Sequence, residues 1–350
     1  MRNLATLPKA HLHLHFTGSM ATSTLMNLAT EAGRHLPESL LTPRSLRLAP
    51  GERGWFRFQR LYDTARALVR TEVHLRRIVS DAASADAAEG SGRLELQVDP
   101  TTYARHLGGI TPVMEIILDE ARTASRDTGV EVGVIVAASR LRNPLDARTL
   151  ARLAARHAGE GPGDVVAFGL SNDETAGATP EFAPAFAIAR RAGLACVPHA
   201  GELRGAAHVA SVLHHLRPDR LGHGVRAVED PAVLRHVIDA GVAFEVCPSS
   251  NVALGVFDHV RDVPLRTLVE AGATVALSAD DPMIFGARLT DQYRLAREVH
   301  GFSDAELAGL ARSSIAASRA GEATKARLTR DVATWLSCAN CRVAGARIVE

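Results

Sequence analysis

The amino-acid sequence predicts an α/β fold of the (β/α)8 barrel type, in which eight parallel strands alternate with helices and the sheet closes on itself. Short apolar runs bounded by turn residues recur eight times, and several are rich in β-branched residues without polar alternation. Such continuous runs are typical of parallel strands covered on both faces. Segments with helical spacing of apolar residues separate the runs, and this repeated alternation favours a closed barrel over an open sheet.

The strands and helices follow from these runs in chain order. The eight strands are predicted over Ala10–Phe16, Leu94–Val98, Val132–Ala137, Val165–Leu170, Ala195–His199, Leu221–His223, Ala243–Cys247 and Thr274–Leu277. Helices are predicted between them over Pro112–Asp127, Thr149–His157, Pro184–Ala192, Ala207–Leu216 and Pro231–Ala240. Several helical segments end next to a glycine, which is a common helix terminator.

Two longer segments depart from the alternation. Residues 20–87 are largely helical in pattern around a loop-like middle at Leu41–Gly54, and they form an insertion placed to cover the barrel mouth. Residues 303–337 form a C-terminal helical region rich in Ala and Arg. No repeat or low-complexity linker interrupts the 350 residues, so we expect one domain over residues 1–350.

Composition excludes several classes of partner. The formal net charge is +1, so neither nucleic acid nor an anionic membrane surface is an expected partner. No apolar run approaches the roughly 18 residues of a membrane span, and no signal-peptide core is visible, which favours a cytoplasmic enzyme. Cys338 and Cys341 form a lone C-x-x-C in the tail. Without a second ligand pair it is a weak signal for metal or redox chemistry.

Polar side chains gather where the predicted strands end. In barrels of this type the chemistry lies at the carboxyl ends of the strands, so these groups are expected to converge on one mouth. They are His13, His15, Glu95, Asn172, Asp173, Glu174, His199, Glu202, His223, Asp280 and Asp281.

Four of these residues predict a metal site. His13 and His15 are two apart on a strand and point to the same face. His199 and Asp280, from strands further round the ring, would complete three nitrogens and one oxygen. That set suits one Zn²⁺ per chain, with a remaining position for water. His11 shares the face of His13 one layer deeper, and we interpret it as structural support.

Two further residues are candidates for proton transfer. Glu202 lies just beyond a strand end, where partial desolvation would let the carboxyl keep its proton and act as a general acid. The alternative is a capping or surface glutamate. His223 lies between two glycines, where the ring can reach a metal-bound water; the alternative is a histidine that only forms a turn.

These motifs together resemble the adenosine deaminase family. The matches keep the family's order from Pro8 to about Ser318, and five short motifs in order are far more specific than any one alone. They are Pro8-Lys9-Ala10-His11-Leu12-His13-Leu14-His15 with Gly18-Ser19, His199-Ala200-Gly201-Glu202, Leu221-Gly222-His223-Gly224, Phe244-Glu245-Val246-Cys247-Pro248 with Ser250-Asn251, and Ser278-Ala279-Asp280-Asp281-Pro282.

The resemblance implies a reaction and a role for each matching residue. A 6-aminopurine would be attacked at C6 by water and would lose ammonia, giving a 6-oxopurine. Glu202 would protonate N1, His223 would orient and help deprotonate the water, and Asp281 would pair with N7. We also expect substrate contacts at His15, Thr17 and Asn172, with the bound zinc lowering the pKa of the water.

Three positions depart from the family's pattern on the side of the sugar. Thr17 stands where adenosine deaminases usually carry an acidic residue associated with a sugar hydroxyl. Asn172 replaces the glycine whose backbone N–H meets N3, and Gln97 replaces an arginine on the second strand. A backbone donor survives such a substitution, although its clearance changes.

The leading hypothesis from sequence is therefore deamination of adenosine or 2′-deoxyadenosine. The same chemistry on aminodeoxyfutalosine, whose 5′ position carries a bulky aryl group, or on free adenine follows closely, because Thr17 lacks the carboxylate that favours a free 5′-hydroxyl. A non-catalytic binding relative would have lost Glu202 or a ligand, and none is lost.

Overall fold

The eight predicted strands form one parallel sheet that curls into a barrel. The structure is a computed structural model that describes residues 1–42, 47–49 and 51–338. Each strand pairs in parallel with the next along the chain. The strands are β1 (Lys9–His15), β2 (Ser91–Val98), β3 (Glu131–Ser139), β4 (Val165–Ser171), β5 (Ala195–Ala200), β6 (Arg220–His223), β7 (Ala243–Val246) and β8 (Val275–Leu277).

The barrel closes where β1 meets the residues that follow β8. The His15 backbone N–H donates to the Asp280 carbonyl at 3.0 Å, and the Asp280 N–H donates to the His13 carbonyl at 3.0 Å. His11 supports this junction from below, because its Nε2 accepts from the Ala279 N–H at 3.1 Å while its Nδ1 lies 3.1 Å from Asp86. The (β/α)8 prediction is confirmed, and its strand ends were wrong by no more than a few residues.

Sixteen α-helices lie within the described residues. They are α1 (Thr22–Glu31), α2 (Glu38–Leu41), α3 (Glu52–Arg66), α4 (Glu72–Ala88), α5 (Ala104–Leu107), α6 (Ile110–Thr128), α7 (Pro144–Arg156), α8 (Thr179–Arg191), α9 (Ala206–Leu216), α10 (Pro231–Asp239), α11 (Pro248–Ala253), α12 (Leu265–Glu270), α13 (Pro282–Phe285), α14 (Leu289–Glu298), α15 (Asp304–Ala317) and α16 (Glu322–Ser337). Helices α7 and α8 begin about five residues before their predicted starts. Pro144 and Pro180 lie in the first turns of these helices, where proline is well accommodated because its missing N–H is not needed there.

The predicted insertion after β1 is helical and reaches the barrel mouth. Helices α1 to α4 occupy it. The side chains of Trp55, Phe58 and Tyr62 on α3 line a cavity at this end of the barrel. Phe58 also stacks on Phe285 of α13, with ring centroids 5.7 Å apart. Part of the predicted loop in this insertion, residues 43–46 and 50, lies outside the described residues.

The C-terminal helices pack against the barrel wall. Ser314 of α15 accepts a hydrogen bond from the Ala10 N–H of β1 at 3.1 Å, and Leu328 of α16 contacts the β2 backbone at Gly92. No helix in the described part of the chain is long and apolar enough to cross a membrane. Cys341 lies outside the described residues, so the prediction for the C-x-x-C is not tested.

Candidate active site

Four predicted ligands bring donor atoms to one point at the carboxyl end of the barrel. His15 Nε2 lies 3.2 Å from Asp280 Oδ1 and 3.3 Å from His199 Nε2, and His13 Nε2 lies 3.5 Å from the same Asp280 oxygen. A tetrahedral site with bonds of about 2.0–2.1 Å has ligands about 3.3–3.4 Å apart. His13 Nε2 is buried with no hydrogen-bond partner in the described part of the chain. The donor set therefore fits a divalent metal ion.

The backbone at this end is held in an unusual conformation. Asp280, His223 and Asn172 have φ angles of 64°, 65° and 77°, and Arg217 is the only other non-glycine residue with positive φ among those described. The left-handed region is unfavourable for residues with a Cβ and is concentrated at functional sites. Three predicted site residues thus depend on the surrounding fold for their geometry.

A row of buried charges orients His13 from below. Its Nδ1 lies 2.8 Å from Glu245 Oε2, and Arg220 donates to the other Glu245 oxygen at 2.6 Å and to Glu95 at 2.6 Å. Burial alone would raise the pKa of Glu245, but Arg220 and His13 outweigh it and hold that pKa below its ordinary value. A carboxylate behind a ligating imidazole fixes its tautomer and orientation.

Sequence reasoning assigned no role to Glu245 or Arg220 and misplaced Glu95. Glu95 was predicted at the mouth, yet it lies at the centre of β2, fully buried, and also accepts from Arg93 at 3.2 Å. The reason is its register: it points into the barrel two residues before Gln97, one layer below the cavity. The sequence does indicate a buried partner for Glu245, because an acidic residue inside an apolar strand must be paired when it is buried.

Glu202 stands on a loop that Glu174 fixes in place. The backbone N–H groups of Glu202, Leu203 and Arg204 donate to the Glu174 carboxylate at 3.1, 3.0 and 2.9 Å. The Glu202 side chain is buried. Burial, together with the nearby carboxylates of Asp280 and Glu174, raises the pKa of Glu202 well above its ordinary value. The carboxyl group therefore keeps its proton at pH values where most glutamates lose it.

His223 lies between Glu202 and the metal ligands. Its Nε2 is 3.5 Å from Glu202 Oε1 and 3.9 Å from Asp280 Oδ2, and its Nδ1 is 3.3 Å from the amide of Asn251. Burial lowers the pKa of His223 to about 4, so the imidazole is neutral near pH 7. Ser250 donates to Asp280 Oδ2, which gives the Ser250-Asn251 pair two contacts that the sequence motif did not reveal.

Asp281 depends on a glycine in the loop after β1. A Cβ at Gly18 would lie 1.7 Å from Asp281 Oδ1, so only glycine leaves room for this carboxyl group. Asp281 Oδ1 is buried without a hydrogen-bond partner within the described residues. Burial and the neighbouring Asp280 raise the pKa of Asp281 well above its ordinary value.

One cavity of about 360 Å³ opens above these groups. His15, His199, Glu202, His223, Asp280 and Asp281 form its deep end, and Gln97 and Asn172 line the opposite wall. Thr17 does not line the cavity: it is buried, and its hydroxyl is 2.5 Å from the hydroxyl of Tyr103. The structure thus brings together every predicted metal, catalytic and substrate residue except Thr17, whose place on the wall is taken by Tyr103.

A (β/α)8 barrel with three histidines and an aspartate converging at the carboxyl ends of its strands defines a metal-dependent hydrolase. The family model described as adenosine deaminase matches residues 8–335. The chain belongs to the adenosine deaminase family. It is accordingly a hydrolase acting on C–N bonds, of the adenosine/adenine deaminase type.

Relatives and solved structures agree with this assignment. A Streptomyces coelicolor protein named as an adenosine/adenine deaminase is 55% identical over 341 residues, which cover 96% of this chain and 98% of the relative. An adenine deaminase of Rhizobium leguminosarum is 35% identical, covering 92% and 98%. The crystal structure of an Arthrobacter aurescens adenine deaminase superposes with a TM-score of 0.85 at 29% identity, covering 95% and 99%. A zinc-bound amidohydrolase of Burkholderia ambifaria shares the fold at 23% identity, with a TM-score of 0.82 and coverage of 95% and 93%.

Proposed function

We propose that this chain removes the 6-amino group of a purine base by hydrolysis, with adenine as its principal substrate. The observation that carries the proposal is the deep end of the cavity, where a four-donor metal set adjoins a buried glutamic acid, a neutral histidine and a second buried carboxyl group. The alternative of a non-catalytic relative has no support, because no member of this set is missing.

His13, His15, His199 and Asp280 would hold one metal ion per chain. Three imidazole nitrogens and one carboxylate oxygen favour zinc, which is also the ion in the Burkholderia ambifaria structure. When bound, the ion supplies Lewis acidity that makes water a nucleophile near neutral pH. Glu245 positions His13 for this purpose from 2.8 Å away.

Glu202 would act as the general acid. Its raised pKa favours the protonated carboxyl group, and its place beside the proposed metal ligands would let it reach N1 of a purine whose C6 faces them. Protonation at N1 withdraws electron density from C6 and prepares that carbon for attack by water. Glu174 contributes by fixing the loop that carries the acid.

His223 would take a proton from the attacking water. This role needs a neutral ring with a free Nε2, and the neighbouring Asn251 can provide it. Asn251 Nδ2 lies 3.3 Å from His223 Nδ1, and the two ends of a terminal amide exchange by a flip. With the amide flipped so that its oxygen meets Nδ1, that nitrogen carries the hydrogen and Nε2 is an acceptor. The proton then passes to the departing amino group, which leaves as ammonia. Loss of the remaining proton from the C6 oxygen gives the 6-oxo group and restores the acid form of Glu202.

Asp281 would hold the imidazole side of the base through N7. Its Oδ1 lies at the cavity without another partner in the described part of the chain, so a ring nitrogen can complete its hydrogen bonding. With Glu202 at N1 and Asp281 at N7, the purine would be hydrogen-bonded on both sides of C6. The backbone N–H of Asn172, on the opposite wall, is a candidate partner for N3.

Free adenine is favoured over nucleosides by two findings. Thr17, the candidate sugar contact, pairs with Tyr103 inside the protein instead of facing the cavity. The Rhizobium leguminosarum and Arthrobacter aurescens proteins are both named as adenine deaminases. We therefore place adenine ahead of adenosine as the substrate, the reverse of the preference that the sequence alone indicates.

Side-by-side assays test the proposal. Purified zinc-loaded protein is offered adenine, adenosine, 2′-deoxyadenosine and a 6-aminopurine nucleoside with a 5′-aryl extension, and ammonia release is followed. We expect turnover of adenine with kcat/KM above about 10⁴ M⁻¹s⁻¹, the lower end of the usual enzyme range. Turnover of a nucleoside in preference to adenine would overturn the substrate assignment, and no ammonia from any of the four would overturn the reaction.

A further inference from the structure

The side chain of Gln97 is buried at the wall of the cavity. Only 2% of the residue is exposed, yet it lines the cavity wall. Its Oε1 has no partner in the described part of the chain. A buried amide oxygen without a partner costs free energy, and a ligand that donates a hydrogen bond to it would recover that cost.

Other polar side chains on the same wall already have partners. Ser139 accepts from the Leu141 N–H at 3.3 Å, and Asn172 Oδ1 accepts from the Asp173 N–H at 2.9 Å. Gly169 leaves room for the amide of Gln97, because a Cβ there would lie 3.0 Å from Gln97 Oε1. Among these three side chains, Gln97 is the one whose oxygen has no partner within the described residues.

The order of the strands indicates which purine atom this amide meets, an argument that rests on the proposed function. Glu202 follows β5 and would hold N1, and Asp281 follows β8 and would hold N7. The ring edge from N1 through N3 and N9 to N7 then faces the wall that runs from β5 back through β4, β3 and β2. Asn172 follows β4, and Gln97 lies on β2, so N9 falls on the side of Gln97.

We infer that Gln97 is a specificity-determining residue that accepts a hydrogen bond from N9–H of a free 6-aminopurine base. A terminal amide can turn its carbonyl to either side, so the oxygen can face the ring. A base substituted at N9, including every nucleoside, has no hydrogen there and leaves the buried amide unpaired. A site built to bond an N–H group discriminates strongly against an analogue that lacks it.

The test compares adenine with 9-methyladenine, which differs only at N9. Wild-type enzyme should prefer adenine in kcat/KM by about 10- to 100-fold, the effect of one buried hydrogen bond. The substitution Gln97→Met keeps the length of the side chain. In this variant kcat/KM for adenine should fall by most of that factor, whereas kcat/KM for 9-methyladenine should change little. Gln97→Glu keeps an acceptor and should keep the preference for adenine.

A matched substitution separates recognition from general disturbance of the cavity. Gln59→Met changes the same residue type on the α3 wall and should leave the ratio of the two substrates unchanged. An unchanged ratio in Gln97→Met would overturn the inference while leaving the deaminase assignment intact. No ammonia from either base with metal-loaded wild-type enzyme would instead overturn the proposed function, and this inference with it.

Discussion

The groups proposed to react and the amide proposed to select the substrate differ in how firmly the protein holds them. On the wall formed by β5 to β8 and β1, Glu245 supports His13, Ser250 binds Asp280, and Glu174 fixes the loop of Glu202. On the wall formed by β2 to β4, the side-chain oxygen of Gln97 has no hydrogen-bond partner among the described residues. Groups that must react need geometry set before the substrate arrives. Groups that bind a substrate can be completed by it, which is the role proposed for Gln97 and for Asp281.

The largest expected effect comes from removing the acid on the supported wall. Glu202→Gln keeps the shape of the side chain but cannot transfer a proton to N1, so kcat should fall by about 10²- to 10⁴-fold. Metal content, measured by atomic emission, should match the wild type because Glu202 is not a ligand. Glu229→Gln, on an exposed glutamate paired with Arg226, is the matched control. A metal-replete Glu202→Gln enzyme with a rate close to wild type would show that the acid lies elsewhere.

A smaller effect is expected from weakening the support behind a ligand. In Glu245→Gln the neutral amide orients His13 less strongly and no longer favours its ligating state, so metal affinity should drop by about 10- to 100-fold. Competition with a chromogenic chelator measures that change. Once saturated with metal, the variant should recover most of its kcat. Unchanged affinity, equal to that of the surface control Glu298→Gln, would mean that the buried Glu245 contact serves stability alone.

The smallest effect is expected on the other wall, at Asn172. Its φ of 77° suits glycine without strain, so Asn172→Gly should keep kcat/KM within a few-fold of wild type. Asn172→Ala has to adopt the same backbone conformation with a Cβ and without the side-chain bond to Asp173. Its free energy of unfolding should therefore be about 1–2 kcal/mol lower than that of Asn172→Gly. Urea denaturation of the two variants measures the difference. Equal stability would show that the positive φ imposes no constraint there.

The sequence predicts more of the wall formed by β5 to β8 and β1 than of the wall formed by β2 to β4. Local motifs at the strand ends predict the strand order, the proposed metal ligands and the positions of Glu202 and His223. The proposed ligands are His13, His15, His199 and Asp280. Local motifs do not predict the contacts behind these residues, since Glu245 meets His13 across 232 positions of the chain. Thr17 shows the same limit: its partner Tyr103 lies 86 residues away, and no local pattern reveals that its hydroxyl turns inward.

Titration of activity with zinc tests the central claim most directly. Protein stripped of metal is given increasing zinc, and release of ammonia from adenine is measured together with formation of the 6-oxopurine. The account predicts that activity rises linearly to one zinc per chain and then stays level, with one ammonia for each 6-oxopurine formed. Full activity in the stripped protein, or no deamination of adenine at one zinc per chain, would contradict it.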